Sequence, residues 1–237
     1  MKTDTSIERR EHHLGRSEDY LKSIYLLDED GQAVGFAELA GELSVSPSSV
    51  TTMLKRLSAM GLVKYRPYSD VTLTAKGKTA ALEVIRHHRL LESFLHRVLG
   101  YPLSDVHDEA EVLEHIISER FEERMDEVLG RPATDPHGSP IPGRDLSMAR
   151  SVATPLTESP VGVPLQVSGL DHRESDRLRY LEELGIVPDA VLTLTERRPL
   201  SEPLTVRLRG GRLVTIGHDL GSKILVRPRA GHARGKP

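Results

Sequence analysis

The chain has 237 residues and a net charge of −3, and 38% of its residues are hydrophobic, which is enough to bury one large core or two small ones. It contains no cysteine, which excludes disulfide scaffolds, thiolate nucleophiles, cysteine-ligated zinc and iron–sulfur clusters. No run reaches the roughly 20 apolar residues that cross a bilayer, and the polar N-terminus does not resemble a signal peptide. We therefore expect a cytoplasmic protein without membrane segments, in which histidine and oxygen groups hold any metal.

The charges are divided unevenly along the chain. Residues 44–80 carry six lysines and arginines against one acid, whereas residues 81–130 carry twelve acids, five arginines and five of the eleven histidines. The first segment suits an anionic partner and the second suits a cation. Charge runs are most often solvated faces, so both interpretations need support from the spacing of particular residues.

Residues 1–75 are predicted to form a winged helix-turn-helix. Ser17, followed by two acids, is typical of a helix start, and a short second helix follows. Ser46-Pro47 begins a third helix, which Gly61 ends. Alternating apolar residues between 62 and 73 flank a turn and predict a β-hairpin, the wing of such domains.

Two long amphipathic helices are predicted next. They run from residue 74 or 75 to about 99 and from about 107 to 129, and a glycine follows each of them. Residues 131–165 then hold seven of the fifteen prolines, which is typical of an irregular linker. From Leu165 the pattern changes to short β runs and one helix near 175–184, which fits a small barrel of SH3 type.

The leading turn of the predicted third helix carries small polar residues that can approach base edges in a major groove. Lysines and arginines beside it suit phosphates. The candidate DNA contacts are Ser46, Pro47, Ser48, Ser49, Thr51, Thr52, Lys55, Arg56, Lys64 and Arg66. The alternative is a helical hairpin with an exposed Ser/Thr-rich face that never meets nucleic acid.

The acidic segment contains two candidate ligand sets. Glu111, Glu114 and His115 have the spacing i, i+3, i+4, so a helix projects all three toward one side. The second set consists of His88 and Glu92, one turn apart on the preceding helix, and His107. Carboxylates and imidazoles suit manganese or ferrous iron. By spacing alone these residues could equally face water, with His88 in a core.

Several segments together resemble the diphtheria toxin repressor family, and within it the manganese transport regulators. The resemblance runs from about Ser17 to Val226. The segments that carry it are Ser17–Tyr25, Val45–Thr51, His88–Glu92, Val106–Glu111, Glu114-His115 and Asp135–Pro142. This resemblance implies a mainly α protein with β: a winged helix-turn-helix at 1–75, a helical dimerisation and metal-binding domain at 76–145, a linker at 146–164, an SH3-like small β-barrel at 165–228 and a disordered tail at 229–237.

The resemblance also implies which residues bind metal. In the primary site Asp19 joins Glu111, Glu114 and His115. The ancillary site has His88, Glu92 and His107, with Glu174 supplied by the third domain. Iron-type members carry methionine and cysteine at the positions of Asp19 and Glu111, so the carboxylates here favour Mn(II), with Fe(II) as the alternative. Two departures are Arg177, which stands at a ligand position and cannot coordinate, and Lys22, which replaces a carboxylate ligand of the two-domain manganese regulators.

The function that the resemblance implies is metal-dependent repression of transcription. A homodimer would bind palindromic double-stranded operator DNA and control metal-uptake genes, and the protein would not be an enzyme. One rival is a metal-dependent hydrolase, but the sequence has neither H-E-x-x-H nor G-x-S-x-G. Other rivals are an iron-dependent repressor of the same family, a winged-helix repressor that senses an organic ligand, and an activator or redox regulator.

Overall fold

The computed structural model describes residues 5–28, 33–66, 70–149, 153–171, 174–197 and 203–229, with side chains from residue 15 onward. The helices are α1 (Thr5–Leu27), α2 (Phe36–Glu42), α3 (Pro47–Ala59), α4 (Ala75–Arg97), α5 (Val106–Leu113), α6 (Glu119–Val128), α7 (Ser175–Leu184) and α8 (His218–Ser222). The strands are β1 (Val63–Lys64), β2 (Thr72–Leu73), β3 (Thr154–Pro155), β4 (Pro164–Leu170), β5 (Val191–Arg197), β6 (Leu204–Leu208), β7 (Leu213–Ile216) and β8 (Ile224–Pro228).

The chain divides into two compact units, which are described separately. The first comprises residues 1–88, 111–122 and 142–147, and the second comprises residues 89–110, 123–141 and 148–237. The tip of the predicted hairpin at 67–69, residues 150–152 of the predicted linker and residues 230–237 of the predicted tail lie outside the described residues. No described helix combines the length and apolar character needed to cross a membrane.

The first unit contains the predicted winged helix-turn-helix. Leu21 and Ile24 of α1 pack in one buried cluster with Val50, Leu54 and Leu57 of α3. Strands β1 and β2 pair antiparallel and form the wing. The order of helices and hairpin confirms the fold predicted for this segment.

Helix α3 begins and ends where the sequence predicts. Ser46 caps it by accepting a hydrogen bond from the backbone N–H of Ser49 at 3.3 Å, and Pro47 occupies the first turn. After the helix, Gly61 has a φ of +70°, a left-handed conformation that glycine adopts without steric cost.

Helix α1 is longer than predicted. It begins at Thr5, so Ser17 lies inside the helix and is not its N-cap. The side chain of Ser17 is buried, with its hydroxyl 3.7 Å from the sulfur of Met53. The acids that follow Ser17 therefore do not face a helix N-terminus, and their role must lie elsewhere.

The wing is held close to the start of α4. The hydroxyl of Thr74 donates to the carbonyl of Gly61 at 2.7 Å and accepts from the N–H of Gly77 at 3.1 Å. A Cβ on Gly77 would lie 2.0 Å from the carbonyl oxygen of Leu62. Only glycine allows this approach of helix to strand.

The single helix predicted for residues 107–129 is wrong, because two helices occupy this stretch. Helix α5 ends at Leu113 and α6 begins at Glu119. The cause is a second N-cap: the hydroxyl of Ser118 accepts from the N–H of Phe121 at 3.3 Å, as serine does at helix starts. Glu114 and His115 consequently lie in the turn after α5.

The second unit contains an antiparallel sheet of order β3-β8-β4-β5-β6-β7 around a separate core. Helix α7 covers it with Leu178 and Leu181. Among the described residues, β3 and β7 are edge strands, so the sheet is open and the predicted closed barrel is corrected. Strand β3 pairs with β8 and lies inside the segment predicted as a linker.

Candidate metal centre and nucleic-acid interface

Helix α1 has two functional faces. Tyr20, Leu21 and Ile24 point into the winged-helix core, whereas Asp19 and Lys22 lie on a neighbouring face. The helical repeat of 3.6 residues separates these two sets. The polar face meets the segment around residues 111–115 within the first unit.

His115 is the centre of one set of contacts to α1. Its Nε2 lies 2.8 Å from Asp19 Oδ1 and 3.5 Å from Glu114 Oε1, and its Nδ1 lies 2.6 Å from Glu18 Oε2. A Cβ on Gly15 would lie 3.1 Å from His115 Cδ2, so the glycine lets the ring approach the helix. Asp19, Glu114 and His115 each offer a ligand atom within 4.8 Å of the others.

Protonation of His115 is favoured by its carboxylate neighbours. Burial opposes the charged ring, but the contacts with Asp19 and Glu18 outweigh burial and raise the pKa of His115 to about 10. A histidine coordinates through a neutral nitrogen, so metal binding here is coupled to loss of a proton.

Lys22 places a positive charge between two predicted ligands. Its Nζ lies 2.6 Å from Glu111 Oε1 and 2.6 Å from Glu114 Oε1. Burial of the ammonium opposes its charge, yet Glu114 and Glu111 together raise the pKa of Lys22. The carboxylates therefore already form a site that attracts a cation.

His88 belongs to the same neighbourhood. Its Nδ1 lies 2.5 Å from Glu114 Oε2, and His88, Glu111 and Glu114 form a second group of ligand atoms within 4.8 Å of one another. The sequence prediction placed His88 in the ancillary set, and the structure adds this contact with a residue of the primary set.

The donor set fits a hard or borderline divalent ion. It consists of three carboxylates and one imidazole, without sulfur. Asp19 Oδ1 is buried and, among the described residues, accepts no hydrogen bond, because its contact with His115 is close but outside hydrogen-bond geometry. A buried carboxylate oxygen in that situation is suited to coordination.

The other predicted ancillary ligands lie in the second unit. Glu92 Oε1 is 3.4 Å from His107 Nδ1, so these two are brought together. Glu174 is half exposed and pairs with Arg177 at 2.7 Å. Within the described part of the chain, Glu174 belongs to none of the groups of three or more ligand side chains.

Sequence reasoning missed two groups of ligand-type residues. His87, Glu119 and Glu122 meet in the first unit, but Arg86 Nε lies 2.5 Å from Glu122 Oε1 and gives that carboxylate a structural partner. Glu92, Asp135 and His137 meet in the second unit. Asp135-Pro-His137 stood out as a family segment, but spacing could not show that it folds back onto α4.

The predicted DNA contacts form an exposed surface. Ser46, Pro47, Ser48, Ser49, Thr52, Lys55, Arg56, Lys64 and Arg66 are exposed, and Thr51 is half-buried. The hydroxyls of Thr51 and Thr52 donate to the carbonyls of Pro47 and Ser48 at 3.0 and 2.9 Å. Their oxygens remain acceptors at the surface, as a recognition helix requires.

Comparison with known proteins decides the family. Residues 14–71 match "Iron dependent repressor, N-terminal DNA binding domain", residues 74–143 match "Iron dependent repressor, metal binding and dimerisation domain", and residues 154–228 match "FeoA domain". The chain is 34% identical over 222 residues to the iron-dependent repressor IdeR of Mycobacterium leprae (strain TN), covering 89% of this chain and 96% of the relative. The chain belongs to the iron-dependent repressor family. It is therefore a metal-dependent, DNA-binding transcriptional repressor and not an enzyme.

Other members of the iron-dependent repressor family are similar to the chain. The diphtheria toxin repressor of Corynebacterium diphtheriae is 31% identical over 191 residues, which cover 76% of this chain and 84% of that one. A solved "Manganese-dependent transcriptional repressor complex with manganese" is 37% identical with a TM-score of 0.84, covering 90% of this chain and all of the other. ScaR with bound Cd2+ is 30% identical with a TM-score of 0.77, covering 90% and 99%. Family and fold predictions are confirmed, whereas the individual ligand residues stay predictions.

Proposed function

We propose that the chain is a Mn(II)-responsive repressor whose primary metal centre is formed by Asp19, Glu111, Glu114 and His115. The observation that carries the proposal is the approach of Asp19 on α1 to His115 and Glu114 across 95 or more residues of sequence. No sulfur ligand is present, and both positions that distinguish iron-type members are carboxylates, which favours manganese. Fe(II) is the alternative, because relatives named as iron-dependent share the family.

The centre is coupled to DNA binding through α1. One face of this helix packs against α3, whose leading turn carries the predicted DNA contacts. The other face carries Asp19, so drawing Asp19 toward Glu114 and His115 fixes the position of α1 and of the recognition helix packed on it. When bound, a divalent ion supplies the positive charge that lets these groups converge.

The size of the response follows from linkage. A ligand that binds only the DNA-competent arrangement, at 100 times its dissociation constant, contributes about 2.7 kcal/mol. This corresponds to roughly a hundredfold gain in operator affinity.

The dimerisation domain predicts the form of the operator. Because a two-fold dimer presents two recognition helices, we propose a palindromic duplex with half-sites one helical turn apart. We propose that the repressor acts in the cytoplasm, where chromosomal DNA is accessible, and that it controls metal-uptake genes.

We propose His88, Glu92, His107 and Glu174 as ancillary ligands. The contact between Glu92 and His107 supports part of this set. The ion pair between Glu174 and Arg177 competes with the proposed role of Glu174.

A DNA-binding titration tests the primary centre. We expect Mn(II) to raise the affinity of the full chain for a palindromic duplex selected from random sequence, and a chelator to reverse the gain. Asp19→Ala and Glu111→Gln should lose most of the Mn(II) response and keep the circular dichroism spectrum of the unaltered protein. Parallel anaerobic titrations with Fe(II) decide between the two metals.

The matched control is Glu109→Gln, which removes an exposed carboxylate from the same helix as Glu111. This variant should respond to Mn(II) like the unaltered chain. Operator affinity that is independent of metal, or an unchanged response in Asp19→Ala, would refute the proposal.

A further inference from the structure

The second unit contains a fully buried group of ligand-type side chains. The side chains of Glu92, Asp135 and His137 are completely inaccessible to solvent. Each offers a ligand atom within 4.8 Å of the other two, and His137 Nδ1 lies 3.5 Å from Glu92 Oε1. Two buried carboxylates at this distance are costly unless a cation compensates them.

A tight turn presents Asp135 to this group. Its Oδ1 accepts hydrogen bonds from the N–H groups of His137 at 2.8 Å and Ser139 at 2.9 Å, so this oxygen belongs to the turn. Its Oδ2 is buried and, within the described residues, accepts no hydrogen bond. One oxygen therefore shapes the backbone and the other is left for a ligand.

The ring of His137 is oriented as metal-binding histidines are. Its Nε2 donates to the carbonyl of Leu103 at 3.1 Å, which in the neutral ring leaves the lone pair on Nδ1. Ligating histidines usually donate their second N–H to a backbone carbonyl or a carboxylate in this way. Nδ1 is the nitrogen that faces Glu92.

A nearby arginine does not fully compensate the carboxylates. Arg89 Nε lies 3.7 Å from Asp135 Oδ2, beyond hydrogen-bond range, and its Nη1 donates to the carbonyl of Pro140. Burial and the proximity of Glu92 raise the pKa of Asp135 to about 6. Both observations show that the negative charge of this group lacks a close positive partner of its own.

We infer that Glu92, Asp135 and His137 form a divalent-cation site in the second unit, in which the turn at 135–137 supplies the ligands expected from Glu174. The set has hard oxygens and one imidazole, which suits Mn(II) or Fe(II). The inference rests on the proposed metal dependence and deepens it by naming two ligands outside the sets predicted from sequence.

The turn also supports the C-terminal sheet. The carbonyl of His137 accepts from the N–H of Leu170 in β4 at 2.8 Å, and a Cβ on Gly138 would lie 2.0 Å from the carbonyl oxygen of Ser168. A cation held by Glu92 and Asp135 thus ties α4 to the turn on which β4 rests. Occupancy should slow hydrogen exchange of the Leu170 amide.

Equilibrium dialysis of the full chain against Mn(II), with bound metal counted per chain, tests the site. Asp135→Asn keeps an oxygen that can accept both turn hydrogen bonds but removes the charge and one ligand oxygen. We expect it and His137→Gln to lose about one equivalent of Mn(II) per chain and the metal-dependent slowing at Leu170. Glu174→Gln, the matched control, should keep the full count.

The outcomes separate this site from the primary centre. Asp19→Asn should lose a different equivalent and keep the one that depends on Asp135. If Asp135→Asn and His137→Gln both bind as much Mn(II) as the unaltered chain, the cluster is an ion-pair network and the inference fails, while the primary centre stands. If no form binds Mn(II), both proposals fail.

A measurement on the unaltered protein covers the case in which neither variant folds. Crystals grown with Mn(II) should give an anomalous peak at the manganese edge within bonding distance of Glu92, Asp135 and His137. Its absence from crystals that show a peak at Asp19 and His115 would overturn the inference.

Discussion

Replacing Lys22 with methionine should make the repressor less stable without metal and more avid for it. The ammonium contacts Glu111 and Glu114 at 2.6 Å each, and Glu114 is completely buried. Removing one partner of a buried ion pair costs about 3–5 kcal/mol, because the other charges stay buried. Glu111 is 39% exposed, so water screens part of this cost and we expect about 3 kcal/mol.

The same change removes a competitor of the metal. In the unaltered chain an incoming divalent ion must share or displace the Lys22 ammonium at both carboxylates, whereas in Lys22→Met it meets their full charge. If half of the lost stabilisation returns as binding energy, the Mn(II) dissociation constant falls by at least about tenfold, which corresponds to 1.4 kcal/mol.

Two assays check this prediction. Urea unfolding with chelator measures the loss of stability, and Mn(II) titration by calorimetry measures affinity. Lys76→Met, which removes an exposed lysine from α4, should change neither. Equal or weaker Mn(II) binding by Lys22→Met would show that the ammonium and the metal do not compete, and the reasoning would be refuted.

Three further changes test the fold and the DNA surface. Leu54→Ala, in the buried winged-helix core, should lower the unfolding free energy by about 2–5 kcal/mol in urea titrations. Gly77→Ala forces a Cβ against the carbonyl of Leu62 and should cost about 1–3 kcal/mol in the same assay, whereas Gly41→Ala, with open space around it, should not destabilise. Lys55→Ala should reduce the salt dependence of operator affinity by about one phosphate contact in fluorescence anisotropy at several salt concentrations.

Local signals predicted the winged-helix domain well. Ser46-Pro47 and Gly61 mark the ends of α3, and the structure uses both as cap residues. These signals act over four residues or fewer, so the sequence alone displays them. The same kind of signal misled at Ser17, because residues before it continue the helix and bury the serine against Met53.

The predicted metal sets were harder to obtain from the chain alone. Helical spacing grouped Glu111, Glu114 and His115, although α5 ends before the last two. The addition of Asp19 came from family resemblance, since no local rule connects residues so far apart. The contribution of Lys22 to the same carboxylates and the return of Asp135 to Glu92 depend on tertiary packing, which periodicity does not encode.

The gap between α5 and α6 makes the backbone of the ligand segment depend on a distant helix. Because the peptide ladder stops at Leu113, the carbonyl of Glu114 accepts a hydrogen bond from His87 Nδ1 at 3.2 Å. His87 Nε2 in turn lies 3.1 Å from Glu122 at the start of α6. One imidazole therefore braces both sides of the interruption, and its side chain sets the spacing between two of the proposed ligands and the helix that follows them.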